Sequence, residues 1–119
     1  MTNPDELVEN YIAMWNATDP ERRRDLIAQT VTDDASYLDP MLTGEGIDGI
    51  NAMIGGAQAQ FPGHLFTLRS GPNVHHDRVY FGWTLAASGG ETIAVGTDFA
   101  TVAEDGRMQS ITGFLEPAA

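Results

Sequence analysis

At 119 residues, 42% of them hydrophobic, the chain can close one core but not comfortably two, and with no cysteine it has no disulfide, zinc-thiolate centre or thiolate nucleophile. Seventeen acidic side chains stand against six basic ones, all arginine, so a net charge of −11 repels nucleic-acid phosphates, and the lack of lysine removes Schiff-base chemistry. The opening MTNPDELVEN has neither the basic start nor the apolar run of a secretory leader, and no later stretch reaches membrane-spanning length; the expectation is a soluble, cytoplasmic protein that meets neither membrane nor nucleic acid.

In chain order, Asn3-Pro4-Asp5-Glu6 predicts a helix start with Asn3 as cap and acids at the positive end of the dipole. Leu7, Tyr11 and Met14 follow at helical spacing, and Val8, Ile12 and Trp15 widen the stripe. The segment 16–19 interrupts it. Asp19-Pro20-Glu21 repeats the start signal for a second helix, which carries Leu26 and Ile27 inward and ends near Gln29 to Thr32. Asp33-Asp34 predicts a turn. Residues 35–39 then alternate as a short strand with Tyr37 and Asp39 on one face, stopped by Pro40.

A third helix over about 46–60 presents Ile47, Ile50, Ile54, Ala57 and Phe61 along one stripe, and Phe61-Pro62-Gly63 terminates it. Four strands follow, over 64–74, 78–88, 91–103 and 107–116, joined by short turns, with a bulge or bend at Gly71-Pro72. Helices followed by a meander of strands define a single α+β domain over 1–119. Apolar residues on both faces of the last three strands predict helices on one side and a second subunit on the other, a homodimer.

Most local motifs lead nowhere. The GxGxxG match at 44–49 contains Glu45 and Asp48, which would oppose a pyrophosphate, and no parallel βαβ unit follows it. His75 and His76 point to opposite sides of a strand and His64 is isolated, so neither a metal nor a cofactor is expected. Strand phase is more informative: over 91–103, Ile93, Val95 and Phe99 share one face, while Asp98 shares the other with Ala94, Gly96, Ala100 and Val102. An acid among small, apolar neighbours must be exposed, paired or held protonated, and desolvation raises its pKa. Tyr11, Asp39 and Asp98 are the candidate site residues. Taken alone, Tyr11 reads first as a core aromatic and Asp39 as a turn residue beside Pro40.

Four segments, NYIAMWNATD, TDDASYLDP, GIDGI and GTDFATVAEDGRMQSITGF, together resemble the nuclear transport factor 2-like (NTF2-like) superfamily, specifically its SnoaL-like and ketosteroid isomerase-like members. The resemblance implies a cone-shaped fold, with three N-terminal helices packed on a strongly curved, mostly antiparallel sheet around one apolar pocket. Trp15, Phe66, Phe81, Trp83 and Phe114 are expected to line that pocket. By the same resemblance Asp39 would be the base that removes a proton α to a carbonyl, and Tyr11 and a protonated Asp98 would donate to the enolate oxygen. Met41-Leu42-Thr43 and Phe99 depart from the isomerase pattern and bring the chain closer to SnoaL-like members. The implied function is a cofactor-independent acid/base enzyme, an isomerase or polyketide cyclase acting on a small apolar carbonyl compound; the alternative is a non-catalytic small-molecule binding module.

Overall fold

The computed structural model describes residues 3–116, so the outermost residues of the expected 1–119 domain lie outside the described residues. Three helices come first or nearly so: α1 (Pro4–Asn16), α2 (Pro20–Thr30) and, after strands β1 (Val31–Leu38) and β2 (Thr43–Glu45), α3 (Gly46–Gln60). Four strands complete the chain, β3 (His64–His75), β4 (Arg78–Ala87), β5 (Thr92–Val102) and β6 (Met108–Leu115).

Local chemistry sets the helix starts. The Asn3 side chain accepts the Asp5 N–H at 2.8 Å, and Asp19 accepts the Arg22 N–H at 2.9 Å, each just before a proline in the first turn. Leu7, Val8, Tyr11, Met14 and Trp15 of α1 are buried, as the apolar stripe predicts. At its C-terminal end, Asn16 donates from Nδ2 to the Phe66 carbonyl at 2.9 Å and accepts the Phe66 N–H at 2.8 Å. That double hydrogen bond ties the end of α1 to β3.

The six strands form one sheet in the order β2-β1-β6-β5-β4-β3, antiparallel everywhere except between β1 and β6. The register of β3 shifts between Leu68 and Ser70 and again across Gly71-Pro72, the bend expected there, and shifts interrupt three of the other four strand pairs, which curves the sheet around the helices. The core fills the concavity; Ile27, Ile50, Ile54, Phe81, Met108 and Ile111 are almost entirely removed from solvent, and full burial of each contributes about 1.5–3 kcal/mol.

Two local readings differ. Asp33-Asp34 lies inside β1, not at a turn: pairing with β6 shifts between Val31 and Ser36, and this irregularity leaves both acids exposed while the chain stays extended. β2 is also additional, a three-residue edge strand that pairs Glu45 with Ser36 and runs straight into α3, so the glycine run at 44–49 is a strand-to-helix junction. No described helix is long and apolar enough to cross a membrane.

Candidate functional site

Asp98 sits in mid-strand on the concave face of β5, opposite Phe81 of β4 and Gly113 of β6, with only 2% of its surface exposed. Its Oδ2 accepts the Tyr11 hydroxyl at 2.7 Å and its Oδ1 accepts the Trp83 indole N–H at 3.0 Å. Among the described residues no arginine pairs with it. Burial pushes the Asp98 carboxyl up to about 6, the two donors pull it back, and the neighbouring Asp39 charge adds to the rise. Burial, then the Asp98 charge, holds the Tyr11 phenol well above its ordinary value.

Asp39, at the end of β1, is half-buried and differently held. Tyr37 donates its hydroxyl to Oδ2 at 2.6 Å, while Oδ1 accepts the N–H groups of Met41 at 2.8 Å and Leu42 at 2.7 Å. Burial above all, then the Asp98 charge and the bond to Asp39, raises the Tyr37 phenol as well. The two carboxylates approach each other across Gly113. A Cβ on that glycine would stand 2.8 Å from Asp98 Oδ1 and 3.1 Å from both Asp39 Cβ and the Tyr37 hydroxyl. Gly96 likewise leaves room for the Trp83 indole, which a Cβ there would overlap. Gly96 beside Asp98 in the sequence and Gly113 opposite it therefore serve close approach.

Over these groups lies a cavity of about 180 Å³ lined by Tyr11, Trp15, Tyr37, Asp39, Phe66, Trp83 and Asp98 among others. Exposed Met41, Phe61 and Leu115 belong to its rim. The Tyr11, Asp39 and Asp98 triad thus converges on one hollow, as do three of the five expected aromatic walls. Phe81 does not line it: the ring is 1% exposed and packs edge-on against Tyr11, centroids 5.3 Å apart, beneath the cavity floor. Phe114 faces the opposite way and is 58% exposed, because Gly113 points at Asp98 and alternation turns its neighbour to the convex side.

Tyr37, Leu42, Gln58, Phe61, His64 and Leu85 are among the further lining residues, none of which the sequence reading assigned to the pocket. Tyr37 carried a usable signal, since it shares a face with Asp39 two residues on. Phe61 stood at the end of the α3 stripe, and His64 carried no signal, because the direction of the loop after α3 is set by tertiary packing. His64 holds its Nδ1 3.1 Å from the Pro62 carbonyl oxygen and stacks edge-on with Phe61. Among the described residues no three histidine or acidic side chains are grouped to hold a metal.

A buried carboxyl near neutrality, two phenols and an apolar hollow can move protons on a neutral ligand. Residues 8–111 match the SnoaL-like domain. The chain belongs to the SnoaL-like family. A crystal structure of a candidate isomerase of that family from Agrobacterium tumefaciens is 38% identical, covers 98% of this chain and 100% of its own, and superposes with a TM-score of 0.92. A candidate SnoaL-like polyketide cyclase from Jannaschia shares 17% identity over 92% of this chain and 85% of its own, TM-score 0.72. An NTF2-like protein from Exiguobacterium shares 18% over 94% and 99%, TM-score 0.73. These last two bear on the fold alone. No curated protein matches the chain. Within this SnoaL-like domain, the Tyr11 hydroxyl and the Asp98 carboxyl lie 2.7 Å apart and hydrogen-bond to each other.

Proposed function

We propose that the protein is a cofactor-independent acid/base enzyme that moves a proton on a small, apolar carbonyl compound, with Asp98 as the base. One observation carries this reading: a carboxylate removed from water, raised to about 6, and held by two neutral donors in the wall of an apolar cavity. Such a group is ionised at neutral pH yet basic enough to accept a carbon-bound proton. Asp39, expected as the base, has three donors on its two oxygens and is more exposed, which suits it to fixing the end of β1 and holding Tyr37.

Proton transfer from the α-carbon to Asp98 sends the electron pair to the carbonyl oxygen. Once Asp98 is protonated it no longer holds the Tyr11 proton strongly, and the phenol becomes free to donate to the enolate. Return of the proton to another carbon completes an isomerisation; attack of the enolate carbon on a second carbonyl, with the Asp98 proton passed to the alkoxide that forms, completes an aldol-type cyclisation. The description of the Agrobacterium relative as a candidate isomerase supports the first of these.

The test is a turnover screen of small enones with the wild type, Asp98→Asn and Asp39→Asn. Loss of the base should lower the rate about a hundredfold or more. The Asp39 variant should lose less. Full activity in Asp98→Asn would remove Asp98 from the chemistry, and tight binding of enones with no turnover would leave a binding module.

A further inference from the structure

Resting on that reading, we infer that the Trp15 indole N–H receives the oxygen of the ligand, and that the ligand is an uncharged carbonyl compound of about one ring.

Trp15 Nε1 is buried and has no hydrogen-bond partner, the one such side-chain nitrogen or oxygen among the described residues. The residue is 6% exposed and lines the cavity, so an acceptor for it has to come from inside the hollow. A buried donor left unpaired is unfavourable, and native proteins rarely keep one without a use. Every other buried donor on the cavity is engaged, the Gln60 amide lying on its exposed part. Tyr11 and Trp83 donate to Asp98, Tyr37 donates to Asp39, and the Gln58 amide donates to the Trp15 and Ala17 carbonyls at 3.0 and 2.8 Å. A ligand oxygen entering the buried part of the resting site therefore finds one free donor.

Position agrees with this role. Trp15 lies one helical turn beyond Tyr11, ring centroids 6.4 Å apart, and its N–H is near enough to the Tyr11 phenol to ease negative charge there without closing a hydrogen bond to it. An oxygen held by Trp15 is thus near the phenol that is released when Asp98 takes a proton. Rings of Tyr37 and Phe66, at 5.4 and 5.2 Å, keep the indole in place.

Charge and size define the ligand class. The ionisable side chains on the cavity are Tyr11, Tyr37, Asp39, Asp98 and His64, with neither arginine nor lysine, so an anion would meet two carboxylates and no fixed cation. A volume of about 180 Å³ is close to that of an engineered apolar cavity of about 150 Å³ that takes up benzene, so the hollow itself holds about one ring and a larger skeleton would extend past the exposed rim of Met41, Phe61 and Leu115.

The experiment follows the two indole N–H resonances of the full chain by ¹H–¹⁵N NMR during titration with cyclohex-2-en-1-one and with its oxygen-free analogue cyclohexene; Trp15→Phe assigns the two signals. The Trp15 signal should move downfield with cyclohexenone and not with cyclohexene. Trp15→Phe should bind cyclohexenone about tenfold more weakly and cyclohexene as the wild type does. Binding of cyclohexenone without movement of the Trp15 signal, an equal loss for both probes, or binding of neither would overturn the inference. Turnover by Asp98→Asn reads the catalytic proposal separately: an active Asp98→Asn removes the base but leaves the indole anchor standing, and a silent Trp15 signal removes the anchor but leaves the base.

Discussion

The ionisation of Asp98 sets two pH profiles that run in opposite directions. Its folded-state pKa is raised from 3.8 to about 6, so between these values the native state binds more protons than the unfolded chain. Stability therefore falls as pH rises from about 4 through about 6, and the shift of about two units corresponds to roughly 3 kcal/mol at most. Asp98→Asn cannot ionise. Urea denaturation should find the variant as stable as the wild type near pH 4 and more stable at pH 8, a gain confined to a site where function opposes stability. The wild-type kcat/KM should rise through the same window, because a base must be unprotonated. A rate that instead fell as pH rose through about 6 would make Asp98 a protonated donor, the role its resemblance to ketosteroid isomerases implies. The convergence of Tyr11, Asp39 and Asp98 on one cavity was legible in the sequence because helical spacing and strand alternation put them on inward faces. Hydrogen-bond directions were not, since which carboxylate takes the Tyr11 proton depends on distances across three elements. Phe114 was misplaced although its phase was readable: if Asp98 faces in and pairs with Gly113, the next residue faces out.

At the level of elements, one polar side chain ties the C-terminal end of α1 to β3. Asn16 satisfies both backbone groups of Phe66 fifty residues away, and Phe66 stands between Trp15 and Trp83 in the cavity wall, 5.2 Å from each ring centroid. Asn16→Ala removes both hydrogen bonds and leaves a part-buried N–H and C=O without their partner, a loss of about 1–3 kcal/mol. Urea unfolding should report that loss, and cyclohexenone affinity should drop with it as the aromatic wall loosens. A variant of unchanged stability would show that packing alone holds α1 to β3. Helix starts were legible because caps are local: Asn3 and Asp19 each bond within three residues. Asn16 read only as a helix stop, because its partner is distant in sequence. β2 escaped notice for a similar reason, three residues of Thr-Gly-Glu having no pattern of their own and forming a strand only against β1.

For the molecule as a whole, net charge and the uncovered side of the sheet belong to one argument. A chain of −11 resists contact with its own copies wherever acids face acids. The convex face of β4, β5 and β6 is different: Tyr80, Ile93, Phe99 and Phe114 are one-third to well over half exposed there, with threonines 97, 101 and 112 between them, and the Arg69–Glu116 pair at 2.9 Å is internally neutral. Side chains of this kind, left to water, disfavour the monomer, and a second copy of the same face covers them without bringing unpaired acids together. We therefore expect sedimentation equilibrium to give twice the 12.8 kDa chain mass at micromolar concentration. Added salt should strengthen the association by screening the net charge, whereas a dimer held by ion pairs would weaken. Phe99→Glu should return the protein to a monomer, and because Phe99 lies directly behind Asp98 on β5, it should also loosen the strand that carries the base. A dimer that tolerates Phe99→Glu, or a monomer at every salt concentration, would mean that the convex face stays open to solvent.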